Sequence, residues 1–389
     1  MKARTRFAPS PTGYIHVGNV RSALYPYLIA KQTGGDFILR IEDTDRARFV
    51  EGAEDLILDT LKWLGLDWNE GPVYGDKTKE MGDFGPYHQT ARREKYLDWA
   101  KKMIEKGLAY ADPYSPEEVE EFRKKAKLEK RAFLYRDHRP ENPPEWKIGM
   151  PLRFKTPEIK RYNWHDAVMG DLSAGPEALD DFILIKADGL PTYNFAHIVD
   201  DFEMKVTHVI RGSEYVASTP KYLSLYEALG IQPPILAHLP HILAPEGNKK
   251  LGKRDGAKSV SEYRADGILS EAMLNFLAQL GWNDGTEQDI FTKEELIEKF
   301  SLERVQKSGA RFDEQRLLWL NGQWIRRISL DDLFNRVKDF WGESAQNANE
   351  EYKKDRFENS KAPELVFVSS EEAVLERLQI KFNDKNMYN

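Results

Sequence analysis

The stretch TRFAPSPTGYIHVGNVRSALYPYL, residues 5–28, decides the fold. Thr5-Arg6-Phe7-Ala8 is a short strand candidate, and Pro9-Ser10-Pro11-Thr12-Gly13 turns the chain. Val20, Ala23, Leu24, Tyr27 and Leu28 then recur at the spacing of one helix face. Pro26 lies inside that helix, where its missing donor should kink or break it; a local bend is expected. A second strand, Phe37–Ile41, runs into Glu42-Asp43-Thr44-Asp45. The helix after it carries Leu56, Ile57, Leu61 and Leu64 on one face, with Gly65 as its C-terminal stop. Strand and helix alternating in this way point to a parallel sheet wrapped by helices.

Outward from this unit the character changes. Between about Thr90 and Thr192 a Lys/Glu-rich helix (Pro116–Arg131) precedes the proline-dense Arg139-Pro140-Glu141-Asn142-Pro143-Pro144. Strand-like pieces at Leu152–Lys155 and Phe182–Ile185 follow, so this part reads as an inserted α+β module. The parallel pattern resumes with a strand at Lys205–Arg211 and a helix at Lys221–Gly230. Beyond Ser259 the chain is mostly helical, with apolar runs at Ala272–Leu280 and Leu317–Trp319. Ser344–Glu364 is polar and poor in apolar residues, a loop or weakly ordered connection.

The 389 residues exceed one ordinary core, and 41% hydrophobic content supplies real interiors. No run approaches the ~18 apolar residues of a membrane span. The start, Met1 to Pro11, has neither an apolar core nor a long Arg/Ser-rich presequence, so no targeting segment is expected. Without a single cysteine, disulfides, thiolate zinc sites and thiol catalysis are excluded, and the composition fits a reducing cytoplasm. A net charge of −7 argues at first sight against nucleic acid, but a large enzyme can bind RNA through local basic strips. On composition alone an acidic metabolic enzyme is equally consistent.

Two constellations carry chemistry. The first is Gly13-Tyr14-Ile15-His16-Val17-Gly18-Asn19, at the junction of the first strand and helix. A helix N-terminus offers free N–H groups and a positive dipole end to phosphate, and Gly13 and Gly18 allow close backbone approach. His16 can donate to a phosphoryl oxygen as charge develops, although a lone histidine there is more often a cap. The second is Lys249-Lys250-Leu251-Gly252-Lys253-Arg254-Asp255-Gly256, cations interleaved with glycine that could clamp a polyphosphate. Alone, it would pass for a solvated basic loop.

Together they resemble the two signatures of class I aminoacyl-tRNA synthetases, His16-Val17-Gly18-Asn19 and Lys250-Leu251-Gly252-Lys253-Arg254. Arg6 to Gly13, Arg40 to Asp45, Gly85 to Thr90, Leu190 to Ala196 and Val209 to Glu214 resemble the bacterial glutamyl-tRNA synthetase family, evenly spaced from Arg6 to about Arg327. The resemblance implies a Rossmann-like catalytic domain split as 1–90 and 195–240, with an acceptor-binding insertion at 91–194. A stem-contact domain at 241–328 and a partial helical anticodon-binding domain at 329–389 would follow. It implies ATP and Mg²⁺ as co-substrates, and glutamate and tRNA-Glu as partners of a monomer, with tRNA-Gln a further partner in the non-discriminating form. His16, Lys250, Lys253 and Arg254 would stabilise the phosphorus, with Gly13, Gly18 and Asn19 lining the ATP site. Arg6, Ala8, Ser10, Glu42, Tyr193, His197 and Arg211 would hold glutamate: the arginines at carboxylates, Glu42 at the ammonium.

The sequence also departs from the family. Gly252 replaces the usual serine of the second signature, which removes one hydroxyl donor while the flanking cations survive. Ala109-Tyr110-Ala111-Asp112-Pro113-Tyr114 lacks the thiols of relatives that bind zinc there, so no structural zinc is expected. Family members usually carry two anticodon-binding domains; this chain is expected to stop near the end of the first. Residues 311–389 hold 13 Lys/Arg against 15 Asp/Glu, so no basic tail compensates. The alternatives are a non-discriminating form, a shortened relative acting on tRNA-Asp, a glutaminyl enzyme, and a non-catalytic tRNA-binding paralogue. The continuation through Leu318 to Arg326, the pair Arg6 and Arg211, and the retained His16 and Lys253 argue respectively against the last three.

Overall fold

The computed structural model describes residues 2–252 and 258–337. Strands β1 (Arg4–Phe7) and β2 (Asp36–Leu39) pair in parallel with Arg6 opposite Ile38, and helix α1 (Val17–Gln32) makes the crossover that a parallel pair requires. The apolar face expected of α1 is buried, and so are Tyr25, Pro26 and Ile29, because helices from later in the chain cover its other side. That packing surrounds Pro26 with buried side chains. The helix continues through the proline unbroken, and the Thr5 hydroxyl donates to the Pro26 carbonyl at 2.8 Å. Burial of neighbouring apolar side chains, worth ~1.5–3 kcal/mol each, outweighs one lost backbone bond.

Helix α2 (Ala53–Trp63) buries Ile57, Leu58 and Leu61, with Leu56 only half-buried. It is followed by Gly65 in the left-handed region, φ 65°, which a residue with a Cβ rarely adopts. A hairpin of β3 (Gly71–Val73) and β4 (Asp76–Met81) and helix α3 (Arg93–Glu105) come next. The middle of the chain then supplies β5 (Ala109–Ala111), α4 (Pro116–Leu128), β6 (Leu152–Phe154), β7 (Tyr162–Asp166), β8 (Gly170–Ala174) and β9 (Ile183–Ile185). Strands β5, β6 and β9 form an antiparallel sheet, matching the α+β character read there.

Helix α5 (Tyr193–Glu203), β10 (His208–Gly212), α6 (Thr219–Leu229) and β11 (Ile235–Leu239) restore the parallel pattern. Strand β10 pairs with β11, Arg211 opposite His238, and β11 meets β7 at Asp166. Strand β1 runs beside β10, where the Thr207 N–H donates to the Arg4 carbonyl at 2.9 Å. Chain direction therefore diverges from between β1 and β10, and the carboxyl ends of these strands frame a crevice of the kind that binds ligands in open α/β sheets. The remainder is mostly helical: β12 (Ile242–Leu243), α7 (Val260–Ala265), α8 (Ser270–Gln279), α9 (Lys293–Lys299), β13 (Ala310–Arg311), α10 (Glu314–Ile325) and α11 (Leu330–Val337). One buried apolar cluster joins α1, β1 and β2 to Tyr263, Leu277, Trp282 and Leu317, and a second joins α3 and β6 to α5 and α6. Both strand ends that frame the crevice are thus backed by packed core.

Candidate active site

Two cavities of about 670 Å³ each open at these strand ends and share Asn19, Ser22, Gly212 and Glu214 as a common wall. The first lies over the start of α1 and is lined by His16, Gly18, Asn19, Lys250 and Gly252. His16 caps α1 in extended conformation, and its backbone N–H donates to the Asn19 side-chain oxygen at 3.3 Å. A Cβ on Gly18 would stand 3.3 Å from the His16 ring, so glycine lets the imidazole lie over the helix start. Gly13, at φ 135°, shapes the preceding turn and lines neither cavity. Lys250 Nζ rests 3.6 Å from Glu214 Oε1. Lys253 and Arg254 lie outside the described residues.

The second cavity collects Arg6, Ala8, Ser10, Glu42, Tyr193 and Arg211. Beneath it lies a network of buried charges. Arg40, fully buried, donates to Asp201 at 2.7 Å and Glu42 at 3.0 Å, and its Nε stands 3.7 Å from Asp200. Arg6 Nε donates to Asp201 at 3.2 Å and its Nη1 to the Ile210 carbonyl at 3.3 Å. Arg92, Gln89 and the Tyr96 hydroxyl donate to Asp200 at 2.6–2.9 Å. Burial pushes the Asp201 carboxyl up, but Arg6 and Arg40 outweigh it and hold it far below the usual range. Burial pushes Glu42 up, and there Arg40 only partly opposes it.

Arg211 is different. Its Nε donates to His238 Nε2 at 3.1 Å and its Nη1 reaches the Tyr193 hydroxyl at 3.4 Å. Its guanidinium lies 4.9 Å from the rings of both Tyr215 and Tyr222. Only 6% exposed, it has no carboxylate partner among the described residues. His197 lies off the cavity wall, because one helical turn stacks its ring under Tyr193 at 4.8 Å and against Tyr222 at 4.7 Å. Its Nδ1 stands 3.8 Å from Asp201, beyond hydrogen-bond reach, and burial holds it neutral with a pKa lowered to about 3.

The family described as "tRNA synthetases class I (E and Q), catalytic domain" matches residues 2–319. The chain belongs to the bacterial-type class I glutamyl-tRNA synthetases. It is 49% identical over 350 residues to a glutamate–tRNA ligase of Clostridium botulinum, spanning 88% of this chain and 71% of that protein. It is 44% identical over 345 residues to glutamate–tRNA ligase 2 of Caldicellulosiruptor saccharolyticus, spanning 87% and 70%. The crystal structure of a glutamate–tRNA ligase from Elizabethkingia meningosepticum in complex with its amino acid superposes with a TM-score of 0.84 at 34% identity, covering 99% of this chain and 82% of that one. This family is enzymatic, and ligation of glutamate to tRNA is the activity the similarity supports.

Several site groups were not anticipated from sequence. Arg40, Gln89, Asp200 and Asp201 floor the second cavity, Glu214 stands between the two cavities, and Asp166 with His238 backs Arg211. The consecutive acids Asp200-Asp201 at the end of a helix whose preceding face is apolar were a readable signal, since carboxylates on a buried face need cationic partners.

Proposed function

We propose that this enzyme activates L-glutamate with ATP as glutamyl adenylate and transfers the glutamyl group to the 3′-terminal adenosine of tRNA-Glu. The observation that carries the reading is Arg211, a buried cation on the cavity wall with no carboxylate among its described partners. An unpaired buried charge costs several kcal/mol, and a bound carboxylate removes that cost, so the site suits a substrate with an anionic side chain. Glu42 accepts from Arg40 and Gln89 on Oε1, which leaves Oε2 for the substrate ammonium. Arg6, with Nε and Nη1 engaged, offers Nη2 to a carboxylate, while Ala8 and Ser10 form the adjoining wall.

ATP occupies the first cavity, its phosphates over the start of α1. An oxygen of the glutamate α-carboxylate attacks the α-phosphorus, and the bond to pyrophosphate breaks. His16 and Lys250, with Lys253 and Arg254 of the same signature, stabilise the added negative charge. A ribose hydroxyl of the terminal adenosine then attacks the acyl carbon and AMP leaves. With glutamate in one cavity and ATP in the other, the wall they share would bring the reacting carboxylate and phosphate to one junction, and positioning would supply much of the catalysis. Among the described residues no group of three or more His, Cys, Asp or Glu could hold a metal ion. No protein site prepared for Mg²⁺ is therefore assigned, and the ion would enter on the phosphates of ATP.

Residues 91–194 are assigned to the acceptor end of tRNA, 241–328 to its stem and 329–389 to part of an anticodon domain, in a cytoplasmic monomer. No helix among the described residues is long and apolar enough to cross a membrane. The test is glutamate-dependent exchange of pyrophosphate into ATP, with and without tRNA-Glu. No exchange in the presence of tRNA-Glu would sink the catalytic reading, and exchange with glutamine instead would redirect the substrate. Charging of tRNA-Gln in a parallel arm separates a non-discriminating enzyme from a discriminating one.

A further inference from the structure

Behind Arg211 stands a fully buried pair of polar residues that lines neither of the two cavities. His238, on β11, faces Arg211 across the parallel pairing of β10 and β11. Its Nε2 lies 3.1 Å from Arg211 Nε, and its Nδ1 lies 2.6 Å from Asp166 Oδ2. Arginine can only donate, so His238 Nε2 carries the lone pair and Nδ1 carries the proton, donated to Asp166. Asp166 is itself pinned, because its Oδ1 accepts from the backbone N–H groups of Val168, Met169 and His238 at 2.9–3.1 Å.

We propose that Asp166 and His238 are positioning residues that set Arg211 for a carboxylate: Asp166 fixes the His238 tautomer, and neutral Nε2 then holds the guanidinium without neutralising it. This rests on the reading that Arg211 receives the glutamate side chain. The contrast with Arg6 shows what the imidazole achieves. Arg6 meets Asp201 directly, so its charge is met at contact range before substrate arrives. Arg211 is oriented equally firmly through Nε, yet the nearest carboxylate of this relay, Asp166, is one imidazole away. An acceptor with no charge gives direction and leaves the positive charge for the ligand. Burial and the neighbouring Arg211 both depress the His238 pKa and Asp166 raises it, the first two prevailing, which agrees with a neutral ring. The same logic holds a catalytic imidazole by its buried aspartate in serine proteases, where the aspartate selects the tautomer.

Asp166→Asn tests this with almost no change of shape. The new amide can offer an N–H to His238 Nδ1, which moves the ring proton to Nε2 and sets it against the Arg211 N–H. In tRNA-dependent pyrophosphate exchange the KM for glutamate should rise about 10- to 100-fold, the worth of a charged hydrogen bond, with the KM for ATP little changed. His238→Gln supplies an amide oxygen to Arg211 whatever occupies position 166, so it should fall within a few-fold of the unmodified enzyme. The double variant Asp166→Asn, His238→Gln should therefore recover the glutamate KM of His238→Gln alone. A merely structural role predicts additive damage to stability and kcat and no recovery. An unchanged glutamate KM in Asp166→Asn, or a double variant worse than either single one, would overturn the inference. Should Asp166→Asn not fold, His238→Leu decides: it lacks the acceptor, and a glutamate KM equal to that of His238→Gln would be equally fatal. Arg211→Gln separates the underlying reading, because an unchanged glutamate KM there removes Arg211 from substrate binding altogether.

Discussion

Replacing Asp201 by Asn probes the charge network that floors the second cavity. Asp201, 1% exposed, accepts from Arg40 at 2.7 Å and from Arg6 at 3.2 Å, and both arginines are buried. Breaking a buried pair from one side costs ~3–5 kcal/mol, because a charge is left without its partner. Arg40 retains Glu42 at 3.0 Å and Asp200 at 3.7 Å, which places the expected loss near the lower end, ~3 kcal/mol. Against a typical total of ~5–15 kcal/mol the variant still folds, but its urea midpoint falls clearly. Acid provides an internal control. The folded-state pKa of Asp201 is depressed far below its ordinary 3.8, so its stabilisation is complete above that value and is lost as pH falls towards the folded pKa. The gap between the parent enzyme and Asp201→Asn should therefore be wide at about pH 7 and begin to narrow below about pH 4. Urea unfolding at several pH values measures it. A gap under ~1 kcal/mol at neutral pH, or one that widens in acid, would refute the assignment of Asp201 as the compensating charge.

Other consequences are as direct. Glu42→Gln keeps the shape and removes the charge assigned to the substrate ammonium; kcat/KM for glutamate should drop ~100-fold while the KM for ATP stays put, and an equal loss in both would contradict the assignment. Gly252→Ser restores the hydroxyl usual in the second signature and should leave an active enzyme, so complete loss of pyrophosphate exchange would count against the reading of that loop. His88 sits between Glu54 at 3.0 Å and Glu80 at 2.9 Å, and the hydrogen bond to Glu54 above all raises its pKa from 6.5 to about 9. A raised pKa stabilises fully below the unfolded value and loses that effect as pH climbs through the folded one. His88→Gln should thus be less stable by on the order of 1 kcal/mol at about pH 6, discounting for solvent screening, with the difference gone by about pH 10. Thermal unfolding at the two pH values decides it, and a constant difference would exclude the ion-pair explanation.

Local periodicity made the first strands and helices legible: the buried face of α1 and the Gly65 stop came from residues only a few positions apart. Pro26 shows where such rules end, since its tolerance depends on packing from both sides of α1 that no window around the proline contains. The cavity residues Arg6, Glu42, Tyr193 and Arg211 were read from family resemblance, and the fold does gather them on one cavity. Their supporting partners were not read, because they come from remote strands and helices. Asp201 is 195 residues from Arg6, and Asp166 is 72 from His238. His197 was within reach of a stricter reading. It stands four residues after Tyr193 and four before Asp201, spacing that stacks it along α5 beneath the tyrosine.

The two arginines named together from the sequence turn out to play unlike parts. Arg6 belongs to a floor in which Arg40 and Arg92 are met by Glu42, Asp200 and Asp201, cation against carboxylate. Such a floor gains little net stability, because desolvation offsets the attraction, but its many fixed contacts hold the cavity in shape before substrate enters. Arg211 is oriented by neutral groups instead, His238, Tyr193 and the flanking aromatic rings. Arg211 is therefore a buried cation with no carboxylate among its described partners, an arrangement that costs free energy. On the proposed reading a glutamate carboxylate would remove that cost, whereas glutamine, nearly identical in shape, would leave it in place. Discrimination between acid and amide would then depend less on new contacts made by the right substrate than on a penalty that the wrong one cannot relieve.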